Sequence, residues 1–355
     1  MDFTKIVGFL KEKWAALTQR MLYTPSEEEL RTQVKDFLAH EPEWLSHAIS
    51  LDPALLDKGE EGALAELLTY QGLHAIALHR QAHALYEKGE FAEARRISQG
   101  ARRVTGGIEI HPGARIGKNF FIDHGAGVVI GETARIGDDV FLYHTVTLGA
   151  TGRKDDVVTE EDGVERRHPK LKNHIKVGNG AQILGPAVIG DWARIGTGAK
   201  LVGHITVADG KKGASVRIND DVHIKGSVSI GAGVTIASDA LLKCDENSKI
   251  IIGDNVVIGE GARILGGVTI GKGAQIRPGV EVQEDVPAGA IVVGKVPALP
   301  GFYKDDRSKC IIIEQPTPDN DNFEQLSETS NRWQNYILEG YGEIEKRAGA
   351  GAGRV

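Results

Sequence analysis

Residues 171–207, LKNHIKVGNGAQILGPAVIGDWARIGTGAKLVGHITV, carry an aliphatic side chain at every sixth position: Leu171, Val177, Ile183, Ile189, Ile195, Leu201 and Val207. A period of six matches neither the 3.6 of an amphipathic helix nor the 2 of a half-buried strand. It matches a parallel β-helix, in which each hexad is one short strand plus a turn and three hexads close a triangular coil. The aliphatic residue points into the prism, and the Gly that often follows it supplies the turn's unusual backbone angles.

The beat continues on both sides. Upstream it falls on Ile110, Ile116 and Ile122, then on Ile130, Ile136, Leu142 and Leu148. Downstream it falls on Ile218, Ile224, Ile230, Ile236 and Leu242, then on Ile252, Ile258, Ile264, Ile270, Ile276 and Val282. These 25 positions in five registers amount to about eight coils, or about 40 Å of prism at the ~4.8 Å spacing of paired strands. Four residues after most of them stands a small or β-branched residue (Ala114, Ala134, Val140, Val146, Ala181, Ala193, Ala262, Val268), sized for a crowded corner. Three breaks interrupt the beat. The first, GATGRKDDVVTEEDGVERRHPK at 149–170, is expected to leave the prism as a loop, and loops on rigid scaffolds often carry function. The others lie between Val207 and Ile218 and between Leu242 and Ile252. The segment 213–282 reads as additional prism.

Composition divides the 355 residues into three. Of 45 glycines, 33 lie in 106–300, while three of the four tryptophans (Trp14, Trp44, Trp333) lie outside it. Residues 1–105 predict an α-helical domain: Ser26 and Glu29 form a capping-box pattern, and Leu30, Val34, Phe37 and Leu38 recur at helical spacing. Leu64, Leu67 and Leu68 continue the pattern, and the alanine-rich 73–86 carries His74, His79 and His83. Residues 301–355 predict a linker, a helix over 322–346 and a flexible AGAGAGRV end. The fold class expected is therefore α+β: a helical domain, a left-handed parallel β-helix over 106–300, and a partly helical tail. Two cysteines, Cys244 and Cys310, fit a reducing cytoplasm rather than a disulfide framework. No apolar run approaches a membrane span, and a net charge of −7 argues against a general nucleic-acid or anionic-membrane surface.

No Walker motif, zinc-type CxxC or GxSxG is present. The chemistry-bearing strings are Glu109-Ile110-His111-Pro112, Asp123-His124 and Arg166-Arg167-His168-Pro169. The plain reading of each is a solvated corner histidine, an Asx-turn aspartate and a surface arginine. Glu109 and His124 are fifteen residues apart, close to one coil of eighteen, which predicts a carboxylate–His pair on adjacent coils. The alternative is a metal site drawn from His111, His124, His144, His168 and His174. Charges of both signs beside the imidazoles weigh against it, and no metal is expected.

The strings GIEIHPGARIG (107–117), FIDHGAGVVIGETARIGDDVFLYHTVTLGATG (121–152) and RRHPKL (166–171), with LLTYQGLHAIALHRQAHALY (67–86) before them, resemble the serine O-acetyltransferases. EDVPAGAIVVGKVPAL (284–299) is similar to the usual end of that family's β-helix. The resemblance implies acetyl transfer from acetyl-CoA to the hydroxyl of L-serine, the first step of cysteine synthesis. It makes His124 the general base and Glu109 the dyad carboxylate, where some members have Asp. Asp123, Arg167 and His168 match serine-contacting positions, and Asp57 matches a further substrate-contacting aspartate. Gly149 lines the acetyl-CoA path, with Ala150 in place of the usual second glycine. Gly178, Arg194, Thr197 and Gly198 match positions beside the CoA arm. His144 stands where other members often have Gln and receives no role. The family implies homotrimers with active sites between chains, and hexamers as dimers of trimers. Many members dock a C-terminal peptide ending in Ile into O-acetylserine sulfhydrylase; Val355 predicts weak or absent docking. Two features depart from the pattern: the acidic DDVVTEED insertion and roughly eleven extra hexads after Val207. Rival readings are an acetyltransferase for a sugar or another amino acid, and a non-catalytic β-helix scaffold.

Overall fold

A computed structural model describes residues 69–154 and 156–293, together with Glu28, Thr32, Ala39 and Ile311–Ile313. The capping box at Ser26, the leucines at 64–68, Asp57 and the tail helix expected over 322–346 lie outside the described residues.

The repeat folds as a left-handed parallel β-helix with three faces. One sheet has nine strands, from Glu109–Ile110 to Glu281–Val282, and a second has eight, from Arg115–Ile116 to Thr269–Ile270. The third begins at Phe121–Ile122 and includes Ile291–Val293. Pairing is in register, so each aliphatic residue stacks on its counterpart in the next coil: Ile110 on Ile130, Ile130 on Leu148, Leu148 on Ile183 and Ile183 on Leu201. All are buried, as are the corner residues Ala114, Ala134, Val140 and Ala181. The solenoid makes about nine turns, where the six-residue beat gives eight. Val286 and Val292 build the final turn by pairing with Ile270 and Ile276, at spacings that fall outside the beat.

Among the described residues, nine non-glycine residues sit in the left-handed region at the corners, including Asn119, His124, Asp139, His174 and Trp192. Aspartates at the corners accept backbone N–H bonds from the preceding coil: Lys118 to Asp138 at 2.7 Å, Asn173 to Asp191 at 2.7 Å, Thr197 to Asp220 at 2.7 Å and Ala232 to Asp254 at 2.8 Å. These carboxylates satisfy backbone donors that the turns would otherwise leave to water.

Helix α1 (Gln71–Glu87) and helix α2 (Phe91–Val104) precede the first coil and close its open edge. Backbone groups of alternate strand residues point in opposite directions: Glu109 and Arg115 face the following coil, donating to Val128 O and Ala134 O. The carbonyls of Ile110 and Ile116 therefore face the open edge, with no strand beneath them. Arg80 of α1 donates to Ile116 O at 2.5 Å and to Gly117 O at 2.6 Å, and Ser98 of α2 donates to Ile110 O at 2.8 Å. Such cover removes an edge that would otherwise invite a second chain. Leu73, Ala75, Ile76 and Ala77 of α1 join the same buried core as the prism.

The first break in the beat is more ordered than the loop expected from sequence. It contains an antiparallel hairpin, with Val158 opposite Arg166 and Thr159 opposite Glu165. Its local signals are the β-branched Val157-Val158-Thr159 and the turn pair Asp162-Gly163.

Candidate active site

Between Ile122 and Ile130 the beat lengthens from six to eight residues. The two extra residues form a tight bulge, with the Gly125 N–H donating to Asp123 O at 2.6 Å and the Ala126 N–H to His124 O at 2.9 Å. The bulge carries Asp123 and His124 out of the wall. The His124 side chain is 73% exposed, and its Nε2 lies 3.8 Å from Asp123 Oδ1. The ring of His144, one coil on, stands edge-on at 6.1 Å. The left-handed backbone of His124 is shared with the other corners and is no special strain. The two-residue bulge and the 73% exposure set it apart from the corner residue His174, which is 38% exposed and stacks on Trp192.

Glu109 lies elsewhere than spacing suggested. The bulge lengthens this coil to twenty residues, so Glu109 stacks on Val129. Its carboxylate pairs with Arg102 of α2 at 3.1 Å, and among the described residues it forms no ion pair with His124.

A second polar cluster surrounds Glu132 and Thr133. Glu132 accepts from the Tyr86 hydroxyl at 3.0 Å and from Arg167 Nη2 at 3.2 Å. Burial works to raise its pKa, but the Tyr86 bond and the charges of His111 and Arg167 leave it lowered. The backbone N–H of Thr133 donates to His168 Nδ1 at 3.2 Å, and the Thr133 hydroxyl lies 2.8 Å from the same nitrogen. Burial and the neighbouring Arg167 bring the His168 pKa down to about 4, so the ring is neutral at pH 7. With Nδ1 accepting, its proton resides on Nε2. The ring lies against Gly131, where a Cβ would fall 2.1 Å from Nε2. Arg167 is exposed, whereas its neighbour Arg166 is buried. Glu132, Thr133 and Arg166 are the residues of this region that sequence reasoning missed, although the first two stand in the quoted VVIGET string.

The residues assigned to a CoA arm lie on successive coils. Gly149 ends the strand Thr147–Gly149. Gly178 admits no side chain, because a Cβ would meet Thr197 N at 2.6 Å. Thr197 Oγ1 donates to Asn179 Oδ1 at 2.9 Å, and Gly198 faces Asp221. Arg194 donates to His174 O at 2.7 Å and stacks between Lys176 and Arg217 on one face. Burial, then the adjacent Arg217, lower its pKa.

Among the described residues, no three of the candidate metal-binding histidines gather into a ligand group. His174 instead pairs with Asp139 at 3.2 Å and stacks on Trp192. A cavity of about 300 Å³ lies against the inserted hairpin, lined by Glu160, Arg166, Pro186, Val188, His204 and Ile205 among others. It touches neither Asp123 nor His124, whose 73% exposed imidazole stands on an open surface of the single chain. Among the described residues, no helix is long and apolar enough to cross a membrane.

Comparison with known proteins bears on this geometry. The family model "Bacterial transferase hexapeptide (six repeats)" matches residues 249–283. A serine acetyltransferase of Helicobacter pylori strain J99 is 45% identical over 173 residues, 49% of this chain and 92% of the relative. One from Bacillus subtilis strain 168 is 46% identical over 159 residues, 41% of this chain and 69% of the relative. Among solved structures, the serine acetyltransferase of Brucella abortus strain S19 in complex with coenzyme A is 34% identical, covering 54% of this chain and 75% of that one, with a TM-score of 0.41.

Proposed function

The chain belongs to the serine acetyltransferase family, and on that premise we propose that His124, on its bulged corner, is the general base of an acetyl-CoA-dependent acetyl transfer to L-serine. The observation that carries the assignment is a solvent-facing imidazole held at a fixed corner with a carboxylate 3.8 Å away.

The reaction is O-acetylation of the serine hydroxyl by acetyl-CoA, giving O-acetyl-L-serine and CoA. A protonated hydroxyl is a poor nucleophile, and an imidazole can take its proton as the oxygen attacks the thioester carbonyl. The new C–O bond forms, a tetrahedral oxyanion collapses, and the C–S bond breaks. The proton taken by His124 then goes to the departing thiolate. A thiol with a pKa of roughly 8.5 leaves readily and needs little help from an acid. We take transfer to be direct, without an acyl-enzyme; Cys244 is buried with its thiol donating to Ser227 O, and Cys310 lies outside the described residues.

Serine is a zwitterion, and the candidate residues offer both complements. Arg167 grips the carboxylate with a forked contact, and neutral His168 donates from Nε2. Asp123 and Asp57 hold the ammonium. Glu109 orients the site from the first coil, and its pairing with Arg102 makes that role indirect within one chain. The arm of CoA runs along Gly149, Gly178, Thr197 and Gly198, with Arg194 supplying positive charge. We divide the chain into a helical segment of 1–105, whose α1 and α2 cap the β-helix, a catalytic β-helix of 106–300 and a tail of 301–355. His124 lacks a wall on its open side, and we assign that wall to a neighbouring chain of a homotrimer; pairing of trimers would make a hexamer.

The test is release of the CoA thiol with L-serine and with a panel of hydroxylated amino acids and sugars. Turnover confined to L-serine supports the reading. Preference for another acceptor moves the chain to a different acetyltransferase specificity, and no release with any of them favours a scaffold.

A further inference from the structure

We propose that the inserted hairpin braces the serine pocket: Glu160, acting through buried Arg166, sets the position of Arg167 and His168. The proposal rests on the reading that Arg167 and His168 hold serine.

Arg166 is the largest fully buried side chain of the described residues. A guanidinium in that position requires a carboxylate and saturated donors, or its burial is strongly unfavourable. Glu160, from the acidic insertion, supplies the carboxylate, with Oε1 at 2.5 Å from Arg166 Nε. Its other oxygen takes Lys170 Nζ at 3.0 Å and lies 3.8 Å from Arg135 Nη1. Burial works to raise the Glu160 pKa, but its bonds to Arg166 and Lys170 leave it lowered.

The remaining donors of Arg166 fan out to three backbone carbonyls. Nη1 donates to His168 O at 2.5 Å and to Ala187 O at 3.2 Å, and Nη2 donates to Pro186 O at 3.2 Å. The guanidinium thus ties the hairpin and the His168 backbone to the prism wall at 186–187. His168 is held from two sides, its carbonyl by Arg166 and its N–H and ring by Thr133.

The hairpin is itself anchored along its length. Asp162 at its tip takes Arg135 Nη2 at 2.8 Å and Arg115 Nη1 at 3.4 Å. Asp156 accepts from Thr151 Oγ1 at 2.5 Å and pairs with His204 at 3.4 Å. Arg153 reaches Glu246 in the third break of the beat. The first break of the beat, which holds the acidic insertion, therefore meets the extra coils, and the insertion is seated at both ends. A buried ion pair can serve stability alone. The placement of one Arg166 donor on the carbonyl of His168 points instead to positioning, because a shift of about 1 Å in a substrate-holding group can lower turnover about a hundredfold.

The test compares steady-state kinetics and melting of the full chain with those of Glu160→Gln, Glu160→Asp, the double variant Glu160→Leu/Arg166→Met, and Arg167→Ala. The double variant removes the buried guanidinium together with its carboxylate and keeps the site filled, while Lys170 is solvent-exposed enough to stay charged and Arg135 keeps Asp162, so it folds even where Glu160→Gln does not. Expected are a serine KM raised about tenfold or more in Glu160→Gln and in the double variant, and an acetyl-CoA KM within about twofold. Glu160→Asp recovers part of the loss. A serine KM within about twofold of the parent in the folded double variant overturns the brace, whatever happens to its melting temperature. If Arg167→Ala raises the serine KM in that case, the serine-binding reading stands without the brace. If Arg167→Ala also leaves it unchanged, both fall.

Discussion

Thr133 presents two hydrogen-bonding groups to one nitrogen of His168, its backbone N–H at 3.2 Å and its hydroxyl at 2.8 Å from Nδ1. The same hydroxyl accepts the backbone N–H groups of Arg167 at 3.0 Å and His168 at 3.2 Å. A single residue, 35 positions away in sequence, thereby fixes the tautomer of the imidazole through its N–H and the path of the chain through the Arg-His pair by its hydroxyl.

Replacing that side chain isolates its contribution. Thr133→Val keeps the shape and the backbone donor but leaves the N–H groups of Arg167 and His168 without their acceptor. At about 1–2 kcal/mol for such a loss, the serine KM rises roughly 5- to 30-fold. The acetyl-CoA KM stays near its original value. Equal rises in both constants would detach Thr133 from serine binding.

His124 allows a cleaner separation of chemistry from folding than most catalytic residues, because its side chain is 73% exposed. Asn tolerates the left-handed backbone of this corner. His124→Asn therefore melts with the parent while kcat falls by about 10²–10⁴. A variant that melts normally and turns over normally would remove His124 from the mechanism.

Acid should destabilise the fold well before carboxylates alone would do so. His79 is lowered well below its ordinary value by burial, His111 is lowered by burial, and His168 is lowered to about 4 by burial and Arg167. Below the ordinary histidine value of 6.5 the unfolded chain takes up protons that the folded chain refuses. Stability therefore falls as pH drops from about 6.5 towards 4, by up to about 1.4 kcal/mol per pH unit for each proton. Glu132 and Glu160, both lowered, add loss in the same direction as pH falls through the carboxylate range. Urea midpoints measured from pH 7.5 to 4.5 check the slope; a flat profile would contradict it.

The bridge between Arg153 and Glu246 joins the first break of the beat to the extra coils, yet both side chains are largely exposed, at 61% and 74%. An exposed pair contributes less than about 1 kcal/mol. Glu246→Ala should therefore shift the melting temperature slightly and leave both KM values within about twofold. A large rise in the serine KM would mean that the extra coils do more than seat the insertion.

Much of the fold was legible because the six-residue beat is a direct image of the coil: Ile183 stacks on Leu201 because both occupy one register position. Asp123 and His124 were legible as a pair, and the eight-residue step from Ile122 to Ile130 marks their bulge in the sequence itself. The spacing argument for Glu109 and His124 assumed an eighteen-residue coil; the bulge makes that coil twenty, and within one chain Glu109 pairs with Arg102 instead. Thr133 and Arg166 were not legible. Each acts on His168 across a coil boundary or through buried carbonyls, and neither relation leaves a period or a spacing to count. Glu160 stands in an acidic run with nothing in its spacing to single it out, and only burial of its partner distinguishes it.

Arg80 and Ser98 close one mouth of the prism by hydrogen-bonding to the carbonyls of the first coil. In a stack where each turn touches only its neighbours, opening proceeds as unzipping from an end. At the capped mouth, unzipping must first strip two packed helices from the wall. Amide hydrogens of the coils carrying Asp123, His124 and Thr133 should accordingly exchange more slowly than those around 269–282. Each turn added downstream also lengthens the distance that such unzipping must travel before the catalytic corner loses its shape.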